Sequence, residues 1–350
     1  MMFGPAAAGA VAFVLLAAWC FSLRRVDRAL AVLGLYLGLL DSYLKLRTGN
    51  QIISLGRDVL ILAIAGGALM RSIGSGRRLP IPPLGALVLA FAAVVFLELF
   101  NPSSPGTVRG LAGVRQHLEF VPLFFLGYAF IRTKSQVRAL VLILVICAAV
   151  GGVVSLIQSL LTPEQLAQWG SGYRERIAGT GVVQGAGRAA IDEAGNTVVR
   201  PFGLGPEVGA GAFIAALALP GLIALMITAP LKSRLALTPL AIGIALAVAT
   251  SGSRAATVMA FVTVVAFGAM AAVSKNAIRA AVGLAVGAAL LFVVVQQLGP
   301  DNPAKNRAAS VAPSKVVSTF SRERLDSVIR FDDYALHYPC LLYTSPSPRD

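Results

Sequence analysis

Three observations predict an all-α polytopic membrane protein of about ten transmembrane helices. Only 13% of the 350 residues are charged and 57% are hydrophobic, for a mean hydropathy of +0.78. Soluble domains carry about 25% charged residues. The apolar residues fall in runs close to the roughly 20 residues that a helix needs to cross a hydrocarbon core. Lys and Arg collect in every second short loop. A formal charge of +14 would point to nucleic acid in a soluble protein. Here the excess lies between apolar runs, where the positive-inside rule accounts for it, so nucleic acid is not an expected partner.

In chain order the candidate spans cover 6–23, 29–46, 52–70, 82–100, 115–131, 139–161, 204–229, 235–250, 255–273 and 279–298. The first follows only MMFGP, without the basic stretch and small-residue cleavage site of a signal peptide, so it is expected to be retained. The basic loops hold Arg24, Arg25 and Arg28, then Arg71, Arg77 and Arg78, then Arg132, Lys134 and Arg138. Lys232 and Arg234 follow the seventh span, and Lys275 with Arg279 the ninth. These loops are expected in the cytoplasm and the N-terminus outside; Lys45 and Arg47 after the second span run against this orientation.

Two polar segments then face the exterior. Segment 162–203 contains TPEQLAQWGSGYRERIAG, expected as an interfacial helix with Trp169 and Tyr173 at the headgroup boundary. The other runs from Gly299, and Val328, Phe331 and Leu336 mark the apolar side of a helix in it. The expected organisation is therefore N-terminal membrane helices over 1–161, a periplasmic loop over 162–203, central membrane helices over 204–298 and the start of a large periplasmic loop over 299–339. Residues 340–350, CLLYTSPSPRD, resemble the translation of a sequencing-library adapter, and the natural chain is expected to continue past Pro339.

Candidate chemistry centres on Arg200 and Arg254. Arg200 opens RPFGLGPEVGAGAF at the mouth of one span, and Arg254 closes ATSGSR at the end of the next. With the short PLKSR turn between them, these spans are antiparallel neighbours with their outer ends together. Arginine near hydrocarbon is costly and is usually paired or functional. A guanidinium pair suits a diphosphate, because the planar fork offers parallel N–H bonds. Position alone favours a simpler reading, in which each arginine reaches the interface and binds lipid headgroups. Glu207 near Arg200 is a candidate acid or base, although a helix start also favours a carboxylate.

Arg115 and Glu119 are spaced to pair on one helix face. They either fix the fifth span to the bundle or line the same substrate cavity as Arg200 and Arg254. His117 points elsewhere and is read as a satisfied polar residue. Asp41, Arg57 and Asp58 are intramembrane charges expected to pair between helices, with a proton relay as the sharper alternative. Cys20 and Cys147 read as small core residues, and no spacing for a metal or a nucleotide phosphate cradle is present.

Three passages, RPFGLGPEVGAGAFIAALALP, ATSGSRAATVMAFV and RLDSVIRFDDYALHYP, resemble the O-antigen ligase and polymerase family of bacterial polysaccharide assembly. The likeness covers about 195–339 and fits the first five spans more loosely. It implies metal-independent transfer of a polyprenyl-diphosphate-linked glycan to a glycan or lipid-linked acceptor, without a cofactor, at the periplasmic face of the inner membrane. Carried over by position, Arg200 and Arg254 would hold the donor diphosphate and act catalytically; Arg115, Glu119 and Glu207, from their own place at the same outer side, are expected to bind substrate. The family's loop histidine lies beyond the point where this sequence departs, and His337 is not assigned that role. Glu207 stands where the family commonly has asparagine. The segment given is therefore expected to be incomplete as an enzyme. The rival expectation is a secondary transporter of a small anion, with Asp41, Asp58 and the Arg115–Glu119 pair forming its pathway.

Overall fold

A computed structural model describes residues 5–50, 53–76, 80–100, 107–178, 189–191, 197–199, 201–206, 209–251 and 254–272. Within them the chain is helical apart from one small hairpin. The helices are α1 (Pro5–Ser22), α2 (Val26–Leu35), α3 (Ser42–Thr48), α4 (Ile53–Gly74), α5 (Gly85–Leu97), α6 (Thr107–Leu118), α7 (Val121–Phe130) and α8 (Lys134–Ser159). They continue with α9 (Pro163–Ala167), α10 (Ser171–Ala178), α11 (Ala210–Thr228), α12 (Leu231–Ser251) and α13 (Arg254–Ala272). A π-helical segment, Tyr36–Asp41, joins α2 to α3 without a break. Strands β1 (Ala189–Ile191) and β2 (Thr197–Val199) pair antiparallel, with Ala190 opposite Val198.

Four helical stretches are long and apolar enough to cross a membrane: Val26–Thr48, Lys134–Ser159, Ala210–Thr228 and Leu231–Ser251. Shorter apolar helices cover Gly9–Ser22, Gly85–Phe100 and Ala256–Phe267. Large apolar side chains such as Val14, Leu62, Leu87 and Phe261 are exposed on the outside of the bundle. Soluble monomers rarely present apolar surface on this scale, whereas lipid accepts it. The protein is a helical membrane protein.

Two cores hold the bundle. In the first, Leu33, Leu60, Ile61 and Ile64 pack α2 against α4, with Cys20 of α1 and Leu126 of α7 at the edges. In the second, Val145 and Ala149 of α8 meet Ala218 and Leu222 of α11 and Ile244 and Ala247 of α12. Small residues set the second packing. A methyl group on Gly152 of α8 would collide with the Gly243 carbonyl of α12, and one on Gly243 would meet Ala149. Membrane helices depend on such close approach because lipid gives no hydrophobic drive to associate.

The contacts also set helix directions. Gly34 lies by Ile143 and Gly38 by Cys147, so α2 runs parallel to α8. Gly221 meets Val141 while Gly203, just before α11, meets Ser155, so α11 runs antiparallel to α8. Arg71 near the end of α4 donates to the Phe21 carbonyl near the end of α1. Arg24, Arg25, Arg28, Arg71, Arg132, Lys134, Lys232 and Arg234 accordingly gather at one end of the bundle. Helices α9 and α10 lie at the other.

The structure corrects several expectations. Ten spans are more than the four that length and composition support among the described residues. The run 115–131 is two helices, because the chain turns at Glu119–Phe120 and Pro122 starts α7. Proline lacks an N–H to continue a helix and disfavours helical geometry in the residue before it. The run 82–100 holds only 13 α-helical residues followed by a 3-10 turn. The expected interfacial helix is split into α9 and α10, and Tyr173 is fully buried instead of lying at a headgroup boundary. Gly170 and Gly172 allow this, since side chains there would run into the backbone of Arg47 and Leu46 at the end of α3. The run 279–298, the segment from Gly299 and residues 340–350 lie outside the described residues.

Candidate functional site

Two polar constellations are built into the bundle. The first is at the end of α8 remote from the basic cluster. Gln158 is fully buried, and its side chain accepts from the backbone N–H groups of Phe202 at 2.8 Å and Gly203 at 2.9 Å. Its amide donates back to the Gly203 carbonyl at 3.1 Å. One side chain thus satisfies three backbone groups of a buried loop, which would otherwise cost about 1–3 kcal/mol each. Gly203 has φ of +63°, and a Cβ there would crowd Ser155 Oγ at 2.8 Å. The loop then closes on itself: Gly209 N–H donates to the Pro201 carbonyl and Gly211 N–H to the Phe202 carbonyl.

An aromatic cap seals this loop. Phe202 stacks edge-on with Tyr173, which stacks edge-on with Trp169, alongside Leu46, Leu166 and Val199. Burial, reinforced by the nearby Tyr43 hydroxyl, pushes the Tyr173 phenol up to about 12, and the Gln158 amide opposes the shift. The Tyr173 hydroxyl has no hydrogen-bond partner of good geometry among the described residues. Next to the loop, Ala212 and Ala216 of α11 pack on Ala256 of α13. The loop and the first turn of α13 therefore share one end of the bundle.

Arg254 is the first residue of α13. Its side chain, together with Arg200 and Glu207, lies outside the described residues. Gln158 was not singled out by the sequence reading. A signal was present: Ser155, Gln158 and Ser159 form a polar patch at helical spacing on an otherwise apolar helix, and all three are buried.

The second constellation lies in the N-terminal half. Arg57 of α4 donates to Glu119 at 2.7 Å and lies 3.7 Å from Asp41 and 3.8 Å from the neighbouring Asp58. Arg115 of α6 pairs with Asp58. The Arg57 guanidinium also sits over the Phe120 ring, 5.5 Å from its centre. Asp41, Arg57 and Asp58 are thus paired between helices. Arg115 and Glu119, expected as partners along one helix, each hold a partner on α4.

Comparison with protein-family models, curated proteins and solved structures gives no match to this chain.

Proposed function

We propose that this protein transfers a polyprenyl-diphosphate-linked glycan to an acceptor sugar at the periplasmic face of the bacterial inner membrane, as an O-antigen ligase or polysaccharide polymerase. The observation that supports this reading is the shared bundle end of the Pro201–Pro206 loop, pinned by Gln158, and the start of α13. Arg200 immediately precedes that loop and Arg254 heads that helix. In the reaction an acceptor hydroxyl attacks the anomeric carbon and the glycosyl–diphosphate C–O bond breaks. The lipid diphosphate leaves with the bonding pair, and the acceptor proton passes to a base. Arg200 and Arg254 would stabilise the charge that develops on the leaving diphosphate, the interaction that most accelerates such a step. Arg115, Glu119 and Glu207 are proposed on the substrate side.

The test is Arg254→Lys in the full-length protein, assayed for glycan transfer from a lipid-linked donor. Lysine keeps the charge but loses the bidentate fork. Transfer is expected to fall about a hundredfold, the scale of losing one preorganised donor, with unfolding temperature unchanged. A normal rate would overturn the diphosphate clamp. The alternative, a secondary transporter of a small anion, is favoured by one observation, the charge network beside the helix break between α6 and α7. A transporter would retain donor-independent anion exchange in the same variant.

A further inference from the structure

We propose that the network of Asp41, Arg57, Asp58, Arg115 and Glu119 is a proton-binding site, with Asp41 the residue that holds the proton. The ion pairs join three carboxylates to two guanidiniums. An uncompensated carboxylate in a low-dielectric interior costs several kcal/mol and is normally neutralised. The Lys45 ammonium acts on Asp41 only from longer range, on the same helical stretch and partly exposed. Among the described residues no group of three His, Cys, Asp or Glu converges closely enough to hold a metal ion. A proton neutralises a carboxylate directly, without any set of ligands.

Geometry selects the residue. Glu119 receives a 2.7 Å charge-assisted bond from Arg57, and Asp58 is paired with Arg115. Asp41 is only 5% exposed, and among the described residues its one ion-pair contact is at 3.7 Å. Among the described residues its Oδ1 is buried with no hydrogen-bond partner; the Asp58 Oδ1 is in the same position, but Asp58 accepts a close bond from Arg115 through Oδ2. The groups acting on it are Tyr36 and Lys45 on its own helical stretch, Arg57 and Asp58 on α4, and Arg115 on α6, while Glu119 is linked to it through Arg57. Protonation forms an O–H bond at an Asp41 carboxylate oxygen with a proton taken from water, and release returns it to water.

The backbone supplies an independent observation. Asp41 is the last residue of the π-helical segment, and Glu119 sits where α6 stops before α7. π-Bulges and broken membrane helices recur where a buried site lies between helices, because irregular backbone at that depth needs protein or water to satisfy it. Here both irregularities meet at one arginine. Gaining or losing a proton at Asp41 alters the demand on Arg57, which also holds Glu119 at the break.

The experiment is infrared spectroscopy of the purified chain in lipid nanodiscs, titrated through neutral pH, unlabelled and with carbon-13 aspartate or glutamate. A protonated-carboxyl band is expected at neutral pH. It should shift with labelled aspartate, disappear in Asp41→Asn and persist in Asp27→Asn, whose carboxylate pairs with Arg25. If Asp41→Asn fails to fold, Asp41→Glu carries the test: the aspartate-sensitive band of the wild type should there become sensitive to labelled glutamate, and a band still sensitive to labelled aspartate overturns the proposal. No band at neutral pH, a band that shifts only with labelled glutamate, or a band that persists in Asp41→Asn overturns the proposal.

Discussion

Gln158 shows how much one side chain can determine in a membrane bundle. It lies on the largely apolar α8, and its two polar atoms serve a loop 44 residues further along the chain. Phe202 and Gly203 are buried, so their backbone groups must be met from within the protein. Gln158→Leu keeps a similar volume and leaves the Phe202 and Gly203 N–H groups and the Gly203 carbonyl unpaired. The unfolding free energy is expected to fall by about 3 kcal/mol or more, read by thermal unfolding in detergent. An unchanged transition would mean that the loop is not anchored there. The patch of Ser155, Gln158 and Ser159 was legible in the sequence, because polar residues at helical spacing on an apolar helix need an internal partner. What Gln158 bonds was not, since that depends on where a distant loop settles after α8 and α11 have packed. The same limit applies to Asp41, Arg57 and Glu119. The charges of Asp41 and Arg57 marked them for interhelical pairing and the spacing of Glu119 marked it for Arg115 on its own helix, but which carboxylate met which guanidinium was decided by the π-helical turn and the break before Phe120.

At the scale of elements, hydropathy located the apolar runs and misjudged their continuity. It sums composition over a window, so Arg115 to Ile131 reads as one span although Glu119 and Pro122 lie inside it. Pro122 carried the missing information, since proline in the first turn marks a helix start. Alternatively stable geometry is also encoded by glycine. Gly152 of α8 faces the Gly243 carbonyl of α12 with no room for a methyl group, whereas Gly113 of α6 has nothing within 4 Å of a built Cβ. Gly152→Ala is expected to destabilise by about 1–3 kcal/mol through overpacking. Gly113→Ala is expected to stabilise by about 0.5–1 kcal/mol, because alanine loses less backbone entropy in a helix. Thermal unfolding of the two variants side by side checks this, and equal transitions would contradict the close crossing of α8 and α12. The crossing was not legible from the Gly-Gly pair alone, because a glycine in a helix marks a possible approach without naming the partner.

The whole molecule is organised by the separation of its two ends. One gathers Arg24, Arg25, Arg28, Arg71, Arg132, Lys134, Lys232 and Arg234, contributed by helices that the sequence spreads over more than half its length. The other carries the aromatic cap of Trp169, Tyr173 and Phe202 and the loop held by Gln158. The alternation of basic loops was legible at once, but that the loops share one end follows only from α2 running parallel to α8 and α11 antiparallel to it. By the positive-inside rule the basic end is expected in the cytoplasm. The Thr162–Gln165 capping box, which fixes the start of α9, lies at the opposite end. Cysteine placed at Lys134 or Lys232 is therefore expected to resist a membrane-impermeant maleimide applied from outside intact spheroplasts, and cysteine at Glu164 to react. Glu164 is suitable because it lies at the solvent-exposed start of α9, where its own backbone N–H and the Thr162 hydroxyl hold its carboxyl below the usual range. Cys20 and Cys147 are buried and add little background, and Cys340, outside the described residues, is replaced by serine for the measurement. Labelling at Lys232 but not at Glu164 would invert the protein in the membrane. The Arg254 end of α13 would then face the cytoplasm, where a periplasmic glycan donor cannot reach it.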